Sequence, residues 1–282
     1  MKPSPFDYLR VSDLGHALEA LADPDCKILA GGQSLVAMLR LRLAAPTLLV
    51  DISRLPELRT VSADGLTIGA CVTHRELESG KLGAPARAAL PVLAQTAPLI
   101  GHAPIRTRGT FGGSIAHADP SAEWCLLARL LDARITARSR VGERELSAGE
   151  FFEGFLTTAL RSDEILTSVR FPSVPDVALV REMSRRHGDF ALVTVGVAVW
   201  SRGTHIALGG VGGTVVRAQA AEQRLADGPL TEDAIAEAAE LAVGACTPAA
   251  DIHGPADYRR HLVQVLTRRT LTEAAHRLEE RR

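Results

Sequence analysis

Two hydrophobic rhythms alternate along the chain, one with helical and one with strand spacing. Leu14, Ala17, Leu18 and Leu21 recur at three- and four-residue intervals behind Ser12 and Asp13, which predicts a short amphipathic helix over residues 12–22. The compact apolar run Cys26 to Ala30 then stops at Gly31-Gly32-Gln33-Ser34. Helical spacing resumes from Leu35 to Leu43, and a second apolar run covers Thr47 to Asp51. The order strand, glycine turn, helix, strand is a small βαβ unit whose helix start faces the glycines.

Beyond residue 60 the texture changes to short β pieces at residues 66–68, 133–138 and 143–146, mixed with short helices around 74–80 and 91–97. A further helix is expected from Ser121 to Leu131, and Glu164 to Phe171, closed by Pro172, reads as the last strand of this region. Ser173 to Asp176, with two prolines, predicts a linker. After it, Val193, Val195, Val197 and Val199 alternate with small or polar residues, and residues 205–211 form a second such run, as in an antiparallel sheet. Helices follow over 217–226, 231–243 and from Asp257 onward, with the charged residues 276–282 expected to fray.

The stretch Ile100 to Glu123 carries the densest chemistry. Gly109, Gly112 and Gly113 stand among Thr110 and Ser114, so this backbone is expected to take positive φ and expose its N–H groups as a nest for an anion such as phosphate. The alternative is a tight turn between packed elements. Gly31-Gly32 allows the same two readings, and two such segments could grip a pair of linked phosphates. Neither fits the dinucleotide pattern G-x-G-x-x-G or a G-K-[ST] phosphate loop.

Composition narrows the partners. With 282 residues, 46% of them hydrophobic, the chain can bury a large core and divide into domains. A net charge of −1 offers no basic excess for nucleic acid or an anionic membrane, and 4% aromatics leave few stacking platforms for single strands. The start of the chain lacks the apolar run of a signal peptide and no segment has the ~20 apolar residues of a membrane helix, so a cytoplasmic address is expected. Cys26, Cys71, Cys125 and Cys246 stand singly, which argues for free thiols and against an iron–sulfur cluster within this chain. No nucleophile elbow, H-E-x-x-H or linked carboxylate pair is present, so no catalytic side chain is assigned and chemistry is expected to lie with a cofactor.

With these pieces placed, the chain resembles the FAD-binding medium subunit of bacterial molybdenum hydroxylases, the group of aerobic carbon monoxide dehydrogenase and three-subunit xanthine dehydrogenases. The resemblance is carried by residues 27–35 (KILAGGQSL) and 108–123 (RGTFGGSIAHADPSAE), with support from 163–166 (DEIL), 184–191 (SRRHGDFA), 251–254 (DIHG) and Tyr258-Arg259. It spans almost the whole length. It implies an α+β chain: a two-subdomain FAD-binding fold of the vanillyl-alcohol-oxidase or carbon-monoxide-dehydrogenase medium-subunit type, then a C-terminal α+β domain with an antiparallel sheet. The expected boundaries are 1–57, 58–173 and 174–282.

The resemblance also implies roles. Leu29, Ala30, Gly31, Gly32, Gln33, Ser34 and Leu35 would lie along the pyrophosphate of FAD. Thr110, Phe111, Gly112, Gly113 and Ser114, preceded by Gly109, would approach it and the ribityl chain from the other side. Ile100, Gly101, Ala116, His117, Asp119 and Glu123 would border the cofactor, and Leu166 would touch an apolar part of it. Arg181, with Arg185 and Arg186, would bring positive charge toward the ring, where a cation favours the anionic reduced flavin. His102 is read as structural, and His117 has no partner set for a metal. No His or Cys interrupts the glycine segments, so the FAD is expected to be non-covalent. In the family's division of labour a molybdopterin-binding large subunit does the hydroxylation and a 2Fe-2S small subunit relays electrons to the flavin, in a dimer of heterotrimers. Two other readings remain: a stand-alone flavoenzyme acting on a small molecule without molybdenum, and a non-catalytic scaffold whose glycines serve packing.

Overall fold

The computed structural model describes residues 2–226 and 228–281. Strands β1 (Asp7–Arg10), β2 (Cys26–Leu29) and β3 (Leu48–Asp51) form a parallel sheet of order β1-β3-β2, with helices α1 (Leu14–Ala20) and α2 (Leu35–Leu41) as the crossovers. The βαβ unit is as expected. Strand β1 was not, because Asp7 to Arg10 lacks an apolar rhythm; it is held by Thr47 and by the Tyr8 hydroxyl, which donates to Asp51. Asp13 caps α1 by accepting from the His16 N–H at 2.8 Å. Val11, Leu14, Leu18, Val50, Ile52 and Leu58 fill the small core between sheet and helix.

The middle region begins with β4 (Thr67–Gly69) and runs through α3 (His74–Glu78), α4 (Ala84–Ala89), α5 (Val92–Thr96), α6 (Ala103–Arg108), α7 (Phe111–His117) and α8 (Glu123–Leu130). It closes with β5 (Arg134–Ser139), β6 (Gly142–Ser147), α9 (Ala148–Phe151), the hairpin β7 (Phe152–Gly154) and β8 (Thr157–Thr158), and β9 (Ile165–Arg170). The main sheet is antiparallel, of order β4-β9-β5-β6. Phe111, Trp124, Phe151 and Phe171 are fully buried at its centre, with the Phe111 and Trp124 rings edge to face at 5.3 Å. Glu164, in the DEIL segment, is buried and takes Arg144 through two bonds of 2.7 and 2.8 Å, which holds its carboxyl below the usual range.

One expectation is overturned here. The segment Gly109 to Ser114 is not a turn with positive φ: none of its glycines lies in that region, and Thr110 instead caps α7 by accepting from the Gly113 N–H at 3.2 Å. The glycines serve close packing, since a Cβ on Gly112 would lie 2.6 Å from the Ala70 Cα.

Beyond the proline linker, β10 (Val177–Met183), β11 (Val193–Trp200), β12 (Gly203–Gly209) and β13 (Val216–Arg217) make an antiparallel sheet in sequence order. Helices α10 (Gln219–Arg224), α11 (Glu232–Gly244) and α12 (Ala256–Glu279) follow. Val177, Leu179, Val193, Val195 and Val197 share a core with α11 and α12 on one face. Ala178, Val180, Ala198 and Ala207 join the middle region's core on the other. Gly196 makes room for α8, as a Cβ there would stand 2.9 Å from Leu130 Cδ2. Helix α12 continues to Glu279, past the point where fraying was expected, because its inner face through Leu271 and Ala274 is buried. Cys71, Cys125 and Cys246 are buried free thiols and Cys26 is half-buried. No helix among the described residues is long and apolar enough to cross a membrane.

Candidate cofactor site

The first glycine segment behaves as expected. Gly32 takes φ +73°, and the chain turns from β2 into α2 with Val36 N donating to the Gly32 carbonyl at 3.0 Å. The N–H groups of Gly31, Gly32, Gln33 and Ser34 donate to no acceptor among the described residues. Ser34, two residues after Gly32, is already right-handed, so the glycine turn leads directly into α2. The Gln33 amide folds back onto the Gly31 carbonyl at 3.1 Å and stiffens the turn.

The second segment lies directly against the first. A Cβ on Gly31 would stand 2.3 Å from the Arg108 carbonyl oxygen, and one on Gly113 would touch the Ala30 Cβ at 3.6 Å. Its main chain, however, offers no nest. Phe111 N donates to Val72, Gly112 N to Ala70, and Gly113 N and Ser114 N to Thr110, at 2.8 to 3.2 Å. What this side presents is the Ser114 hydroxyl, which like that of Ser34 is half-buried and has no partner among the described residues. The first segment therefore offers main-chain N–H groups and the Ser34 hydroxyl, and the second offers the Ser114 hydroxyl.

Behind Gly109 sits a residue that pattern reading missed. His74 is buried, its Nδ1 accepts from Trp124 Nε1 at 2.9 Å, and a Cβ on Gly109 would meet its Nε2 at 2.6 Å. Burial, with the Arg106 charge adding to it, pushes its pKa down to about 3. The ring is neutral, and the Trp124 bond assigns its proton to Nε2. A lone His in a Glu-rich helix gave no signal for this.

The remaining predicted residues divide. Gly101, at φ +49°, and His102 lie under the segment after β10: Gly188, at φ +87°, approaches the His102 ring so closely that a Cβ would be 2.4 Å from it. Ile100 is half-buried against the central core. Ala116 and His117 end α7, where Ala118 takes φ +54°, and Asp119 accepts from Ser121 N at 2.8 Å. His117 is half-buried and its pKa is lowered by burial, Asp119 opposing and Lys27 reinforcing the shift. Glu123 opens α8 in a buried position, and burial pushes its carboxyl up to about 8. Leu166 is a buried core residue of β9. Arg181 does not join the group: it leaves the opposite face of the C-terminal sheet and pairs with Glu273 of α12 at 2.5 Å. Among the described residues no cluster of three or more His, Cys, Asp or Glu could hold a metal ion. A groove of about 700 Å³ along α12, lined by Arg268, Arg269, Glu273 and Arg277 among others, contains none of the cradle residues.

Four N–H groups without acceptors among the described residues, on a segment packed against one that carries the Ser114 hydroxyl, fit a linked phosphate pair, and comparison with known proteins names the molecule that supplies one. Residues 4–174 match the family described as the FAD binding domain in molybdopterin dehydrogenase, and residues 178–274 match the CO dehydrogenase flavoprotein C-terminal domain. The chain is 40% identical, over 98% of its length and 97% of the relative's, to 6-hydroxypseudooxynicotine dehydrogenase complex subunit alpha of Paenarthrobacter nicotinovorans. It is 34% identical, over 97% and 98% of the two lengths, to the carbon monoxide dehydrogenase medium chain of Hydrogenophaga pseudoflava. Among solved structures, a chain of quinoline 2-oxidoreductase from Pseudomonas putida 86 matches with a TM-score of 0.92 at 35% identity, covering 98% of this chain and 99% of that one.

The fold and site thus define a flavin-binding oxidoreductase subunit. The chain belongs to the family of FAD-binding medium subunits of molybdenum hydroxylases.

Proposed function

We propose that this chain is the electron-transfer subunit of a molybdenum hydroxylase: it binds FAD non-covalently, takes electrons from 2Fe-2S clusters on a small partner subunit, and passes them to an external acceptor. The flavin supplies two-electron chemistry, collecting electrons that arrive singly. The protein's part is to bind and orient. Gly31 to Ser34 donate N–H groups to the pyrophosphate, Ser34 and Ser114 add hydroxyls, and Glu123, Asp119 and His117 border the nucleotide. The molybdopterin-binding subunit performs the hydroxylation, and a dimer of heterotrimers in the cytoplasm is the assembly we infer. The division into residues 1–57, 58–173 and 174–282 is the organisation that places two subdomains around the cofactor and a third against them.

The observation that carries this reading is the row of four free N–H groups packed against the second glycine segment. The names of the relatives, a dehydrogenase complex subunit and a medium chain, support partner subunits. Purification with the products of neighbouring genes tests it. Co-elution of a molybdenum subunit and an iron–sulfur subunit is expected, with flavin bleaching only when both are present. Substrate-dependent bleaching of the isolated chain would favour a stand-alone flavoenzyme instead.

A further inference from the structure

Helix α3 packs against α6 and holds it at both ends. Just before α3, Thr73 forms an antiparallel bridge with Thr110, and at its start the His74 N–H donates to the Gly109 carbonyl at 3.0 Å. Gly109 is the residue whose main chain lies against Gly31 at the cradle. Glu78 stands four residues after His74, so it lies on the same face of α3, one turn further along. There it meets Arg106 of α6, whose Nε donates to Glu78 Oε2 at 3.0 Å.

The rest of the Arg106 guanidinium is directed at main chain. Its Nη1 donates to the Gly101 carbonyl at 2.9 Å and, at 3.3 Å, to that of Ile100. Gly101 is the left-handed residue, at φ +49°, from which the chain turns into α6, and a Cβ on it would stand 2.8 Å from Ile105 Cδ1. A planar fork that reaches a carboxylate and two carbonyls at once fixes the turn and the helix as one body. Arg106 is 9% exposed, so its charge depends on these partners. Glu78 answers that charge: against the effect of burial, Arg106 and Arg75 hold its carboxyl below the usual range. Arg75 reaches the same Glu78 oxygen at 3.2 Å but is itself 55% exposed.

We propose that Arg106 is a positioning residue for FAD: gripped by Glu78, it locks the Gly101 turn and α6 onto α3, and so holds the Gly109–Gly31 joint at which the cradle closes. The inference rests on the reading that FAD occupies that cradle. Helix α6 has only six residues, about 9 Å of helix, so a shift at its Gly101 end is transmitted to Gly109 rather than absorbed on the way. Neither Arg106 nor Glu78 belongs to the glycine segments; both act through the main chain of α6.

The experiment uses the flavin-free full chain as wild type, Glu78→Gln, Arg106→Lys, the double variant and Arg75→Ala. Amide hydrogen exchange is followed first, and FAD is then titrated at a temperature where each is folded. Glu78→Gln and Arg106→Lys should each weaken FAD binding at least ~fivefold. The double variant should lose no more than ~twofold beyond the weaker-binding single variant, because Glu78 acts through Arg106. Arg75→Ala leaves the pair intact and should stay within ~twofold of wild type. Without flavin, exchange should quicken over residues 100–109 in the variants of the pair, while α11 and α12 keep wild-type rates. Fully additive losses, an equal loss in Arg75→Ala, affinities unchanged in Glu78→Gln and Arg106→Lys, or exchange quickened along the whole chain would each overturn the proposal. If Arg106→Lys does not fold, Glu78→Gln against Arg75→Ala decides. A wild type that binds no FAD would sink the functional reading instead, and exchange over residues 100–109 would still decide whether the pair holds α6.

Discussion

Gly31 and Gly109 touch through their main chains: a Cβ on Gly31 would stand 2.7 Å from the Gly109 Cα and 2.9 Å from the Arg108 carbonyl carbon. No flexible side-chain end is there to yield. The parallel sheet and the α6–α7 corner are joined at this point with nothing between them, so the segment with the free N–H groups packs directly against the one that carries Ser114.

Gly31→Ala forces that joint apart. It is expected to cost about 1–3 kcal/mol, the usual range for overpacking, and to weaken FAD binding at least ~tenfold by displacing one side of the cradle. Gly213→Ala is the control, since a Cβ there meets nothing within 4 Å; its melting temperature and FAD affinity should match wild type. Equal FAD affinity in the two variants would mean the Gly31 contact does not shape the site.

His74→Leu leaves the buried Trp124 Nε1–H without its acceptor, at an expected cost of ~1–3 kcal/mol in urea unfolding at pH 7. The pH dependence has a definite sign. The folded His74 value of about 3 lies below its ordinary 6.5, so the unfolded chain binds the extra proton first and stability falls as pH drops from 6.5 toward 3. The variant should lose that part of the acid sensitivity. A wild-type slope retained in His74→Leu would place the titrating group elsewhere.

Arg181 separates what resemblance suggests from what geometry assigns. Its guanidinium is paired with Glu273 on α12, both groups partly exposed, at 40% and 32%. Arg181→Ala should therefore cost no more than about 1 kcal/mol, as partly solvated pairs do, and change FAD affinity less than ~twofold. A large drop in affinity, or a shifted flavin potential, would return Arg181 to the cofactor site.

Much of the scaffold could be read from spacing alone. The βαβ unit, the Val-rich hairpin of β11 and β12, and the helices behind them each carry a period that one face of burial imposes. Residues 111–117 could not be read that way, because a Gly-Gly pair signals a turn locally while a tertiary contact, Gly112 on Ala70, makes it a helix. Strand β1 was silent since its pairing comes from β3 and a Tyr8–Asp51 bond across 43 residues. Likewise α6 carries Pro104 in its first turn, and β10 follows directly on the linker. At the site, the resemblance named the segments. Only the folded structure reveals that one offers free N–H groups, that the other offers the Ser114 hydroxyl, and that His74 stands behind Gly109.

The most direct measurement is a titration of the flavin-free chain with FAD, followed by denaturation of the yellow product. Saturation at one FAD per chain, with all flavin released on unfolding, is the outcome expected from a single main-chain cradle without a covalent anchor. A chain that stays colourless, or flavin that remains attached after unfolding, would contradict it.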